Sequence, residues 1–223
     1  MSHFFKNQVL HLVLLVVLLG ITGSVGSRMG FGEARLLGLG VRAWFLLSLA
    51  LPVLHQVFVW VVWRWELCRS GVSRAFGPNG FMYYAILFSV LGLSRVAAIV
   101  GLGVVDRQTL ALHPAFSIAA IVLLTPPAAY TFYSVARFFG FRRAFGIDHF
   151  DETYRDKPLV RRGIFRYTRN GMYKFGFLVF WIIGIAFASR LALLVAFFNH
   201  AYVWVHYYCT ERPDMERIYG DHR

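Results

Sequence analysis

Four short stretches of this chain hold side chains that could do chemistry. Residues 158–176 read PLVRRGIFRYTRNGMYKFG, with Arg161, Arg162, Arg166 and Arg169 crowded around Tyr167, the turn signal Asn170-Gly171 and Tyr173. Residues 210–220 read TERPDMERIYG and open on a carboxylate, Glu211. Between them an apolar run carries His200 and His206. Upstream, Arg64-Trp65-Glu66 is followed by Ser73-Arg74-Ala75-Phe76-Gly77. A helix starting near Tyr173 would present free backbone N–H groups next to guanidinium groups, an arrangement that suits an anionic ligand such as a carboxylate. Contact of a basic loop with lipid headgroups explains the same residues equally well.

The elements that must position these groups are membrane helices. Of 223 residues 58% are hydrophobic and 15% charged, and the mean hydropathy is +0.56. A soluble domain carries roughly a quarter charged residues, so an integral membrane protein is the class that fits. The net charge of +12, from 23 Lys and Arg against 11 Asp and Glu, would raise nucleic acid as a partner in a soluble chain. Here basic residues in loops beside membrane helices, held by anionic lipid, account for it, and the expected partners are membrane lipids and not nucleic acid.

Four spans are expected at 9–25, 43–63, 81–105 and 115–136. The first could pass for a signal peptide, but it is long enough to cross and further spans follow. Residues 27–42, with Arg28, Glu33, Arg35 and Arg42, read as a loop or a short interfacial helix. Pro126-Pro127 should kink or interrupt the fourth span. The polar region 137–174 includes Arg142, Arg143, Arg155 and Lys157, and the run 175–208, broken at Ser189-Arg190, reads as a helical hairpin. The tail from Thr210 reads as an amphipathic surface helix. The expected fold is therefore all-α and polytopic, with about four spans plus a C-terminal helical hairpin. It divides into transmembrane helices (1–136) and a polar loop, hairpin and tail (137–223) within one structural domain.

If 137–174 is cytoplasmic, alternation places 65–80 and the N-terminus on that side and the nearly neutral 106–114 outside, as the positive-inside rule asks. The three arginines of 27–42 then lie outside, against the rule. The two cytoplasmic loops share a compartment and can meet. Arg74-Ala75-Phe76-Gly77 recurs as Arg143-Ala144-Phe145-Gly146, which a shared way of ending a helix on Gly explains as well as duplication does.

Other features are weaker. Cys68 and Cys209 read as reduced and structural. Gly101-Leu102-Gly103 resembles a fragment of a nucleotide fingerprint, but inside a span it reads as helix packing. Asp148-His149-Phe150-Asp151-Glu152 holds metal-ligand types yet reads as an exposed acidic patch facing nearby arginines, and no metal is expected. His200 and His206 either touch substrate or form interhelical hydrogen bonds. Arg95, inside the third span, reads as facing a cavity or snorkelling, with a lipid phosphate as its candidate ligand.

The polar segment and Glu211 together resemble the integral-membrane methyltransferases, the superfamily of isoprenylcysteine carboxyl methyltransferase and phosphatidylethanolamine N-methyltransferase. That pattern runs Gly-x-(Phe/Tyr)-Arg-x-x-Arg-His-Pro-x-Tyr-x-Gly, an apolar hairpin, then Glu-Glu. Gly163, Phe165, Arg166, Arg169, Tyr173 and Glu211 stand at matching places. Asn170-Gly171 replaces His-Pro, Arg212 replaces the second Glu, and Gly176 lies one position late. Arg64-Trp65-Glu66, the spacer before Ser73 to Gly77, Asn170-Gly171-Met172-Tyr173, and Pro213 followed by Ile218-Tyr219 are similar to the phosphatidylethanolamine N-methyltransferase group.

The resemblance implies an enzyme using S-adenosylmethionine. Its carboxylate would be held by arginine and backbone donors, its ammonium by Glu211, and its sulfonium by the aromatic faces of Phe165, Tyr167 or Tyr173. Cofactor-binding residues are then Gly163, Phe165, Arg166, Tyr167, Arg169, Asn170, Met172, Tyr173 and Glu211. The acceptor implied is a phospholipid amine, with Glu66, Arg74 and Arg95 as substrate-binding candidates. A primary ammonium titrates near pH 10, so a base must take a proton before methyl transfer, and Glu211, His200, His206 or Glu66 could do so. Methylation of a prenylcysteine carboxylate, which needs no such base, and a non-catalytic protein retaining the fold are the alternatives. The expected location is a bacterial inner membrane or the endoplasmic reticulum, with the site facing the cytoplasm.

Overall fold

A computed structural model describes residues 3–154, 157–158 and 160–220; Arg155 of the polar region lies outside the described residues. A turn of 3-10 helix, His3–Phe5, leads into α1 (Gln8–Met29). There follow α2 (Val41–Arg69), α3 (Gly71–Phe76), α4 (Gly80–Val105), α5 (Pro114–Ser134), α6 (Phe141–Ala144), α7 (Leu178–Ala186), α8 (Arg190–His206) and α9 (Arg212–Tyr219). Four helical stretches are long and apolar enough to cross a membrane: His3–Met29, Val41–Arg69, Gly71–Val105 and Pro114–Phe139. Leu12, Val16, Ile118 and Leu123 point outward from the first and last of these, as lipid-facing side chains should.

The hub is α8, which packs against α1, α2, α4 and α7. Leu191, Ala192, Val195, Ala196, Phe198 and Tyr202 are all inaccessible, and the two alanines let neighbouring helices approach closely. The glycines at the end of α4 serve the same purpose, as the packing reading expects. A Cβ at Gly101 would stand 2.5 Å from the ring of Trp44, and one at Gly103 would stand 2.4 Å from Phe187.

The hairpin α7–α8 forms where Ser189-Arg190 indicates. Ser189 caps α8 by accepting from the Ala192 N–H at 3.0 Å. Asp106, at the end of α4, accepts from Ser189 Oγ at 2.6 Å and from the Leu191 N–H at 3.0 Å. The nearly neutral turn thus holds the hairpin in place.

Three expectations need correction. Residues 27–42 contain neither a plain loop nor an interfacial helix but a two-stranded antiparallel ribbon, β1 (Arg35–Leu36) and β2 (Leu39–Gly40). Leu37 and Gly38 at its tip both have positive φ, which a two-residue hairpin turn requires and a helix excludes. Of the two alternatives for Pro126-Pro127, interruption does not occur: α5 runs through both, and Thr131 Oγ donates to the Pro127 carbonyl at 2.8 Å. The third is the 148–152 patch. Asp151 and Glu152 stay outside, but Asp148 and His149 are buried.

The tail is a helix, as expected, but it is anchored from inside. Arg64 Nε donates to Asp214 Oδ1 at 3.0 Å, and neither side chain is accessible. The same guanidinium reaches the carbonyls of Phe4 (2.9 Å), Lys6 (2.7 Å) and Cys209 (3.0 Å). His3 adds a 2.7 Å bond to Asp214. One arginine therefore ties α2 to both the N-terminal turn and α9.

The loops around 65–80 and 137–174 do meet. Phe150 lies 5.3 Å from Phe81 between ring centres, and Trp63 packs so tightly on Gly146 that a Cβ there would stand 2.4 Å from its ring.

Candidate functional site

Three helices on one side of the molecule end or begin in a turn of π-helix: Val135–Phe139 after α5, Met172–Gly176 before α7, and Tyr207–Glu211 after α8. Such turns re-aim side chains out of helical register and recur at functional sites. All three face one cavity of about 160 Å³, to which they contribute Phe139, Met172 and Tyr173, and Tyr207 and Glu211. Val160, Phe165, Arg169 and Asn170 close another wall, and Arg143, Asp148, Met215 and Tyr219 complete it.

Gly163 sets the course of the polar segment. It has φ +61, and a Cβ would stand 2.5 Å from Ser134 Oγ. Ser134 Oγ in turn accepts from the Ile164 N–H at 3.0 Å. This glycine pins the segment against α5, and Phe165 then stacks on Phe139 with ring centres 4.8 Å apart.

The cavity walls carry charge of both signs. The Tyr173 hydroxyl donates to the Glu211 carboxylate, bridging the segment to the end of α8. Opposite, Tyr219 donates to Asp148 Oδ2 at 2.5 Å and accepts from Arg143 Nη2 at 3.0 Å. Burial, then the adjoining Asp148 carboxylate, push the Tyr219 phenol up to about 12, so it stays a neutral donor. Asp214 behaves in the reverse way. Burial alone would raise its carboxyl; His149 at 3.6 Å, the His3 hydrogen bond and the Arg64 charge outweigh this and bring it down to about 2.

Behind this cavity, toward the membrane, is a larger and mainly apolar chamber of about 310 Å³. Its walls include Trp63, Phe88, Phe145 and Phe177, and its polar members are His55, Gln56, Arg95, Thr131, Tyr173 and His206. Met172 and Tyr173 line both spaces, so one aromatic residue forms the partition. Among the described residues neither ring nitrogen of His206 has a hydrogen-bond partner, although the residue is buried.

Of the residues singled out from sequence, Phe165, Arg169, Asn170, Met172, Tyr173 and Glu211 come together in the smaller cavity, and Arg95 and His206 in the chamber. Gly163 acts through the backbone. Arg166 and Tyr167 lie on the outer side of the segment, where Tyr167 is 75% exposed. His200 lines neither space; Trp181 Nε1 donates to its Nδ1 at 3.1 Å, the interhelical alternative. Glu66 caps α3, accepting from the N–H groups of Val72 (2.9 Å) and Ser73 (3.0 Å) and from the Ser73 hydroxyl. It lines a separate polar cleft with Ser70 and His149, and Arg74 lines none of these spaces.

Arg143, Asp148, Tyr207 and Tyr219 were missed. Tyr219 sits in the Ile-Tyr tail pattern and could have been flagged; Asp148 and Arg143 looked like solvated charges and only their burial marks them.

Comparison with known proteins identifies the same stretch. Residues 115–222 match the model of the phospholipid methyltransferase family, so the resemblance to integral-membrane methyltransferases holds over the segment that carries the cavity. No curated protein and no solved structure gives a significant match.

Proposed function

We propose that this membrane methyltransferase holds S-adenosylmethionine in the smaller cavity and methylates the amine headgroup of a phospholipid, phosphatidylethanolamine or its methylated forms, lying in the chamber. The observation that carries this reading is the shared partition. A cavity with Arg143, Asp148, Arg169 and Glu211 in its walls and a mainly apolar chamber meet at Tyr173, whose hydroxyl is held by Glu211. A water-soluble donor and a lipid acceptor need such a meeting place at the membrane interface.

The residues present fit the cofactor. Arg169 and the N–H groups of the turn at Asn170 suit its carboxylate, and Glu211 its ammonium. The stacked pair Phe139–Phe165 offers an aromatic wall for its base, and Tyr173 and Tyr207 offer π-faces for its cation. S-adenosylmethionine, when bound, supplies a methyl group carried on a positively charged sulfur.

The rest of the work falls to the chain. The acceptor ammonium must lose a proton before its nitrogen lone pair can attack. His206 is the candidate base, since it lines the chamber and, among the described residues, neither of its ring nitrogens has a hydrogen-bond partner. Tyr173 and Met172 keep bulk water from crossing between the two spaces, and Phe177 and Phe145 line the path for the acceptor. The cluster Arg142, Arg143, Arg161, Arg162, Arg166 and Arg169 supports a cytoplasmic position for this face, in a bacterial inner membrane or the endoplasmic reticulum.

The test is methyl transfer from labelled S-adenosylmethionine by purified protein in lipid nanodiscs. Label should enter phosphatidylethanolamine and give mono-, di- or trimethylated products, and a prenylcysteine should remain unlabelled. Labelling of the prenylcysteine alone would reverse the acceptor assignment; no cofactor binding in lipid would sink the enzyme reading. His206→Gln should lower kcat by roughly 10²–10⁴-fold with cofactor affinity unchanged.

A further inference from the structure

The chamber contains a positive charge that the protein does not neutralise. Arg95 lies midway along α4 and is 6% exposed. Its Nε and Nη2 donate to one neutral oxygen, Asn199 Oδ1, at 3.2 and 2.8 Å, and its Nη1 lies 3.2 Å from His55 Nδ1. Its Cζ stands 5.4 Å from the ring centre of Phe177 and 5.5 Å from that of Phe180. Among the described residues no carboxylate pairs with it. Two other buried residues of the chamber lining are also incomplete: among the described residues, His55 Nε2 and both nitrogens of His206 make no hydrogen bond. A guanidinium at this depth without an anion is costly to keep, and such residues mark ligand sites when they face a cavity.

We propose that Arg95, Asn199 and His55 form an anion clamp at the deep end of the chamber, which takes the phosphodiester of the lipid acceptor and so sets acceptor specificity. The inference rests on the reading of the chamber as the acceptor site. Asn199 fixes the clamp: its Nδ2 donates to the Val195 carbonyl at 2.9 Å, which leaves Oδ1 turned to Arg95. A guanidinium has five N–H groups. The contacts above occupy three, and those remaining on Nη1 and Nη2 are available to two oxygens of one anion.

Position decides the ligand class. Tyr173 in the π turn, Phe177 at the start of α7 and Phe180 within it form a ladder, the first two rings 6.3 Å apart, and Arg95 stands beside the lower two. An acceptor lying along this ladder has its amine at the Tyr173 end, facing the cofactor cavity. Its anionic group then lies one to two helical turns deeper, at Arg95. A headgroup with a short link between amine and phosphodiester meets both requirements. A prenylcysteine carries its anion on the methyl-accepting carboxylate itself and would leave Arg95 uncompensated.

The experiment is lipid binding to purified protein, read by native mass spectrometry and by lipid-dependent thermal stabilisation. The probes are phosphatidylethanolamine and a diacyl amine of equal chain length whose linker carries no phosphate. Wild type should bind the phosphodiester lipid at least tenfold more tightly, and Arg95→Gln should erase the difference while leaving S-adenosylmethionine affinity unchanged. Equal binding of both lipids by wild type, or an undiminished preference in Arg95→Gln, would overturn the clamp. Asn199→Asp is the second variant: it gives Arg95 a counter-charge from within the chain, on the Nε/Nη2 side that Asn199 Oδ1 occupies, and should erase the preference too. Methyl transfer is followed in parallel, because transfer to neither lipid counts against the acceptor reading while the binding preference still judges the clamp.

Discussion

Arg64 and Arg95 are both removed from solvent, and they are treated in opposite ways. Arg64 is surrounded by acceptors that belong to the chain: the Asp214 carboxylate and the carbonyls of Phe4, Lys6 and Cys209. Arg95 has a neutral amide and an imidazole, and a cavity on its free side. A buried charge that holds a fold together brings its own counter-charge. One that is left facing open space with neutral partners is set up for something that arrives later. Burial alone would not have separated the two residues; the identity of their partners does.

The comparison is broken most severely at Arg64. Arg64→Met leaves Asp214 buried beside two imidazoles and frees both chain ends from α2. It should cost about 3–5 kcal/mol of stability, measured by thermal unfolding in detergent, and should weaken cofactor binding as α9 loosens. Loss of cofactor affinity with unchanged stability would contradict the anchoring role. Glu211→Gln comes next. It removes a charge from the cavity wall but nothing from the Arg64 anchor, so calorimetry should show cofactor affinity falling roughly ten- to hundredfold at nearly constant melting temperature.

Acid provides a graded version of the Arg64 experiment. The folded-state carboxyl of Asp214 is held at about 2, below its ordinary value, so its contribution is complete above about pH 4 and is lost as the pH falls through 2. The loss amounts to roughly 2 kcal/mol and should appear as a falling unfolding temperature across that window. In Asp214→Asn the window should flatten; an unchanged acid transition would place the responsible group elsewhere. Smallest is Arg95→Met in the absence of lipid, which should alter stability by less than about 1 kcal/mol, because the removed charge offsets the lost hydrogen bonds. A cost as large as that of Arg64→Met would erase the distinction between the two arginines.

What could be read from the sequence follows the range of the interactions involved. The spans and the hairpin break at Ser189 depend on neighbouring residues, and their positions were legible within a few residues. So was the meeting of Tyr173 with Glu211, because a family pattern supplied the pairing that local physics could not. Asp214 was not legible. Its partner Arg64 lies 150 positions away, and a tail reading ERPDMER looks solvated until the helix beneath it is in place. The same holds for Asp148 and His149. The ribbon at 35–40 was obscured for another reason: a glycine-rich stretch permits several turns, and the left-handed pair Leu37-Gly38 becomes visible only in the backbone.

A π turn contains one residue more than the regular helix it interrupts, and the cavity is bordered by three of them. Their lining side chains therefore depend on the length of the chain as much as on its composition. Deleting a single residue from one turn, Lys174 for example, would let the helix close normally and swing the residues before the deletion by about 100° relative to α7. Phase, rather than side-chain chemistry, would then be what fails: every residue named for the site would still be present in the sequence, and Tyr173 would no longer face Glu211.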